Sequence, residues 1–108
     1  MFDLGIFEIS LKDFNNPIIS VGEASGKNAL KDAVQNAIEG RDFIKLEKGF
    51  AIFIKIPPGI TSVFEIEAAL KIFQDAIPED AEIIWDVMSD ESLVDKVKVL
   101  IIAEKSIA

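Results

Sequence analysis

The chain has 108 residues, half of them hydrophobic, with 19 acidic and 11 basic side chains giving a formal net charge of -8. That length fits one domain with a core able to stand without staples. The chain has no cysteine and no histidine, which excludes disulfides, thiolate nucleophiles, cysteine zinc sites and imidazole acid-base chemistry. The negative charge argues against nucleic acid as a partner. No apolar run approaches the ~18 residues of a membrane span, and Met1 to Gly5 lack the basic, apolar character of a secretory signal. The expectation is a cytoplasmic protein that makes no membrane contact.

In chain order, Ile6 to Leu11 is a candidate strand, and Ile18 to Gly22 reads as the first of four better-marked ones. Leu30, Ala33, Val34, Ala37 and Ile38 follow a helical stripe that opens after Ser25 and stops at Gly40, a residue suited to a left-handed C-terminal cap. Phe43, Ile44 and Leu46 lie in a connection too short for a firm helix, with apolar side chains expected beneath the domain. Phe50 to Ile56 reads as a strand. Val63, Ile66, Ala69, Leu70, Phe73 and Ile77 form a second helical stripe, with Ser62 and Glu65 at capping-box spacing and Pro78 past its end. Ile83 to Met88 and Val97 to Ala103 complete the strands. The order contains two crossover units that lay both helices against one face of a sheet, which is an α+β sandwich.

Two strands are apolar on both faces. Phe50, Ile52, Ile54 and Ile56 oppose Ala51 and Phe53, and Val97, Val99, Ile101 and Ala103 oppose Leu100 and Ile102. A sheet with one wet face should alternate more cleanly. Two helices cover one face only, so the other, with Phe53, Leu100 and Ile102, is expected to meet the N-terminal segment or another chain, and a homo-oligomer is predicted.

The chemistry on offer is sparse. Val21-Gly22-Glu23-Ala24-Ser25-Gly26-Lys27-Asn28 approaches a phosphate-binding loop, but it has three residues where that motif has four before its Gly-Lys pair. Asn28 stands where a magnesium-binding hydroxyl belongs, and Glu23 would repel phosphate. A tight strand-to-helix turn is the better reading. Asp86, Asp90, Glu91 and Asp95 surround one connection without calcium-loop spacing, and read as a solvated acidic turn. Trp85 alternates with Ile83 and Val87, which predicts core packing. No residue is assigned to catalysis, to a metal or to a cofactor.

Four ordered segments carry a family resemblance. Val21 to Leu30 resembles the Gly-x-Ala-x-Gly-x-Asn stretch that opens the C-terminal domain of FtsZ, the tubulin-like cell-division protein. Phe64-Glu65-Ile66-Glu67-Ala68-Ala69 resembles the start of that domain's second major helix, and Ala81 to Trp85 its following strand. Asp90-Glu91-Ser92-Leu93-Val94-Asp95-Lys96-Val97-Lys98-Val99 is similar to the family's Asp-Glu-Ser-Leu-Gly-Asp run. The resemblance implies a mixed four- to five-stranded sheet with two main helices on one face. It makes residues 21-108 the family-like domain and residues 1-20 an extension, which holds the candidate strand at Ile6 to Leu11.

The implied activity is not enzymatic. The family's nucleotide sits in a separate domain with a glycine-rich loop that nothing in this sequence resembles. Leu11-Lys12-Asp13-Phe14-Asn15-Asn16 is only weakly similar to the family's catalytic loop, with Asn16 where a carboxylate belongs, and an amide cannot accept a proton from water as a carboxylate does. The resemblance implies an interaction or self-association module without a GTPase domain or cofactor, linked to cell division or filament assembly. Its partners would be copies of itself or a tubulin/FtsZ-like protein. In the family the start of the second helix lies near the longitudinal contact, which marks Thr61, Ser62 and Glu65 as partner-binding residues. Pro57-Pro58-Gly59 replaces the family's Gly-Gly-Pro just before them. Two alternatives stay open: half of an FtsZ-like GTPase needing a nucleotide domain in trans, and a small oligomeric ligand-binding protein or enzyme.

Overall fold

The computed structural model describes residues 17–59 and 62–104. The candidate strand at Ile6 to Leu11, the segment from Leu11 to Asn16, and Thr61 lie outside them. The elements run β1 (Pro17–Ser25), α1 (Ala29–Ile38), α2 (Phe43–Leu46), β2 (Gly49–Ile56), α3 (Val63–Ala76), β3 (Glu82–Ser89) and β4 (Lys96–Glu104). The sheet order is β1-β4-β2-β3. β4 is antiparallel to both β1 and β2, and β3 is parallel to β2. Three strands therefore share a direction, and the sheet is mixed.

The main core lies between the helices and one sheet face. Alternate residues Phe50, Ile52 and Ile54 of β2, and Val97, Val99, Ile101 and Ala103 of β4, meet Leu30, Ala33, Val34, Ala37, Ala69 and Phe73. These are the predicted stripes. Phe50 and Phe73 pack edge to face with centroids 5.6 Å apart at 89°, an arrangement that places a ring's positive edge against a negative face. α1 sits close on β1 because Gly22 has no side chain. A Cβ there would stand 2.2 Å from the Ala33 carbonyl oxygen and 2.5 Å from the Ala37 nitrogen. Beside it, the buried Ser20 hydroxyl donates to the Ala37 carbonyl and accepts from Arg41 Nε at 3.1 Å. A carbonyl of the last turn, which has no partner within the helix, is thereby satisfied.

Both apolar faces of the strands are buried. On the side away from the helices, the cross-strand rows Ile19–Ile102–Ala51 and Val21–Leu100–Phe53 make a second cluster in which Ala51, Leu100 and Ile102 are fully buried. Helix boundaries follow local chemistry. Ser62 Oγ accepts from the Glu65 amide at 3.2 Å, as the capping spacing predicts, and Gly40 adopts a φ of +72° just past α1.

Four expectations need correction. Trp85 is 56% exposed, because β3 is the outer strand of the described sheet and the large indole has a lateral neighbour, β2, on one side only. Leu46 is also exposed, while Ile44 of the same turn is buried. One helical turn cannot aim residues two apart at the same surface. Phe43 to Leu46 itself forms that single turn of helix. Val63, placed in the second helical stripe, is exposed on the first turn of α3, whose fully buried positions are Ala69 and Phe73.

Candidate interaction surface

Because β1, β2 and β3 run in one direction, their C-terminal ends meet at one end of the sheet, where α1, α3 and β4 all begin. Three turns gather there: 26–28, 57–59 and 90–95. They are tied to each other. The Gly26 amide donates to the Asp95 carbonyl at 3.4 Å, and the Asp90 amide to the Ile56 carbonyl at 2.9 Å. Lys96 pairs with Glu23 at 3.5 Å, and Lys55 with Asp90 at 3.6 Å.

The turn into α1 is built for backbone geometry. Gly26 has a φ of +94° with open space where a Cβ would be, so its requirement is the left-handed conformation. The Ala29 amide is donated to the Gly26 carbonyl at 3.2 Å. With the Gly26 amide also engaged and Glu23 on Lys96, the loop presents a tied turn where a phosphate loop would present free donors.

The acidic connection is organised in the same way. Asp90 Oδ1 accepts from the Ser92 amide at 2.9 Å and from its hydroxyl at 2.7 Å. Those two hydrogen bonds, the Ser92 side chain first, hold the Asp90 carboxyl below the ordinary aspartate value, with Lys55 adding to the effect. This is a side-chain-closed turn. Among the described residues, no three acidic side chains converge as a metal site.

Of the predicted partner-binding residues, Ser62 and Glu65 stand at this end, exposed on the first turn of α3, and Thr61 lies outside the described residues. Glu65 lines a shallow cleft of about 240 Å³ with Gly26, Lys27, Pro57 and Asp95. Phe53, Leu100 and Ile102 are placed elsewhere, on the second sheet face, with Leu100 and Ile102 fully buried in the chain and Phe53 half-buried. The two groups do not form one surface.

Three residues at the loop end escaped the sequence reading. Phe64 and Val94 are each 82% exposed, and Val63 is 67% exposed. Phe64 falls off the helical stripe, between Val63 and Glu65, and Val94 follows the buried Leu93 in an acidic turn. An apolar residue out of register with its element was the available signal. Apolar side chains so exposed, on an end also carrying Ser62 and Glu65, are of the kind that proteins bury when they meet.

The chain was compared with known proteins. The model of the FtsZ family, C-terminal domain, matches residues 16–105. Among solved structures, the empty FtsZ dimer of M. jannaschii is 25% identical, with a TM-score of 0.71 over 81% of this chain and 26% of that one. A tryptophan-to-tyrosine mutant of M. jannaschii FtsZ is likewise 25% identical, with a TM-score of 0.73 over 82% of this chain and 27% of that one. CetZ from Methanosaeta thermophila strain DSM 6194 shares the fold at 14% identity and a TM-score of 0.57, covering 100% of this chain and 32% of that one. No curated protein sequence matches significantly. The chain thus spans about a quarter of the length of the FtsZ structures it resembles.

Proposed function

Since the chain belongs to the FtsZ family, as a C-terminal domain of that family, we propose that it acts as a non-catalytic interaction module that docks on FtsZ-like chains or on copies of itself. The observation that carries this reading is the exposure of Val63, Phe64 and Val94 at the end of the sheet that also holds Ser62 and Glu65. Exposed residues of this size contribute little to folding, and their burial against a partner is favourable by roughly 1.5–3 kcal/mol for each large side chain. Involvement in cell division or filament assembly follows from the family relationship and is part of the same proposal.

The test is assembly. The chain is mixed with a full-length FtsZ from the same source, and polymer mass is followed by light scattering and pelleting. Retention in the pellet, or a change in assembly that Phe64→Ser abolishes while the variant stays folded, is the expected result. No association with FtsZ, together with a monomeric mass at micromolar concentration, rejects the module.

The coverage of about a quarter of the FtsZ structures supports a second reading, in which the domain works with a nucleotide-binding partner domain. GTP turnover by that domain, measured with and without this chain, separates the two. Stimulation by the chain favours the second reading.

A further inference from the structure

Among the described residues β3 is an edge strand, guarded by two acidic side chains but by no bulge, proline or lysine. It pairs with β2 on one side, and among the described residues nothing pairs with its other side. Its eight residues run in unbroken register from Glu82 opposite Gly49 to Ser89 opposite Ile56, so no bulge twists it away. It contains no proline and no lysine. Natural edge strands are usually blunted by one of these devices, because their unpaired amides and carbonyls are a template for another strand. This strand also exposes two large apolar residues, one on each face, Ile84 at 63% and Trp85 at 56%.

The pattern also says what would pair with it. Side chains alternate across a strand, so Glu82, Ile84 and Asp86 project to one face and Trp85 to the other. Both charged groups of β3 are acidic, and in a chain of net charge -8 a second copy brings more of the same sign.

We propose that the outer edge of β3 accepts an extended segment of a partner protein, with cationic residues opposite Glu82 and Asp86 and an apolar residue opposite Ile84. Main-chain hydrogen bonds supply the pairing, and the alternating side chains select the partner. This site is separate from the loop-end residues, so it stands or falls independently of the assembly reading.

Trp85 is the chain's one tryptophan, which gives a direct readout. The probe is a capped peptide whose core reads lysine, threonine, isoleucine, threonine, lysine, titrated into the full chain. A saturable blue shift of Trp85 emission is expected, with new amide-exchange protection confined to Glu82–Ser89. Glu82→Lys combined with Asp86→Lys should weaken the peptide about tenfold while the far-ultraviolet dichroism is unchanged. If that double variant fails to fold, Asp86→Asn provides the same comparison. The proposal is overturned by no shift at millimolar peptide, or by equal binding of a peptide with glutamate in place of lysine. It is also overturned if, without peptide, β3 pairs with a second copy and Ile84→Lys abolishes that association.

Discussion

At Gly22 a missing side chain sets how closely α1 can lie on the sheet. The Ala33 carbonyl and Ala37 amide occupy the space a Cβ would need, and both are backbone, so neither can rotate away. Gly22→Ala should therefore destabilise the fold by at least about 2 kcal/mol, at the severe side of overpacking, as a lower denaturant midpoint. Gly26 makes a different demand, since a Cβ would meet nothing and only its positive φ restricts the position. Asp90 adds a pH dependence. Its carboxyl is held low chiefly by Ser92, so the folded state binds that proton less readily than the unfolded chain does. The resulting stability is present above the ordinary aspartate pKa of about 3.9 and is lost as pH falls through the lowered value. Asp90→Asn should narrow the stability gap between neutral and acid solution, and unfolding curves on both sides of pH 4 measure it.

At the scale of elements, the helices were legible because their stripes and caps are local. The Ser62 hydroxyl bonds the Glu65 amide as their spacing requires, and Ser62→Ala should cost about 1 kcal/mol, read as a fall in thermal midpoint. Strand positions were legible as well, since branched apolar runs between turn residues mark them. Strand neighbours were not. Trp85 alternates like a core residue, but alternation fixes only the face on which a side chain stands. Its exposure depends on β3 being last in the order, a result of which strands pair across more than thirty residues. Leu46 shows the same limit over a shorter distance, for one turn of helix points Ile44 inward and leaves Leu46 in solvent.

For the whole molecule, the mixed sheet gathers three turns at one end and, among the described residues, leaves β3 unpaired along one side. These surfaces should respond differently to mutation. Phe64→Ser or Val94→Ser should leave the unfolding midpoint within about 0.5 kcal/mol of the parent, as exposed substitutions generally do, while reducing association with FtsZ-like chains by light scattering. Loss of stability with intact association would place Phe64 in the fold instead. Part of this site could be read beforehand. Ser62 and Glu65 were marked by the resemblance, whereas Phe64 and Val94 emerged only when exposure was known. Leu100 and Ile102 ran the other way: apolar enough in sequence to suggest an interface, they lie buried within the chain.

The sequence by itself determined the two long helices and the four described strands, the two-faced apolarity of β2 and β4, the strand-to-helix turn before Ala29, which the structure narrows to Gly26 to Asn28, and the kinship of the segments around it. Each of these depends on interactions between residues close along the chain, or on the identity of the residues alone. The tertiary structure decided which strand lies at the edge and which apolar side chains remain in water. Exposure is set by neighbours distant in sequence, and no local pattern carries that information.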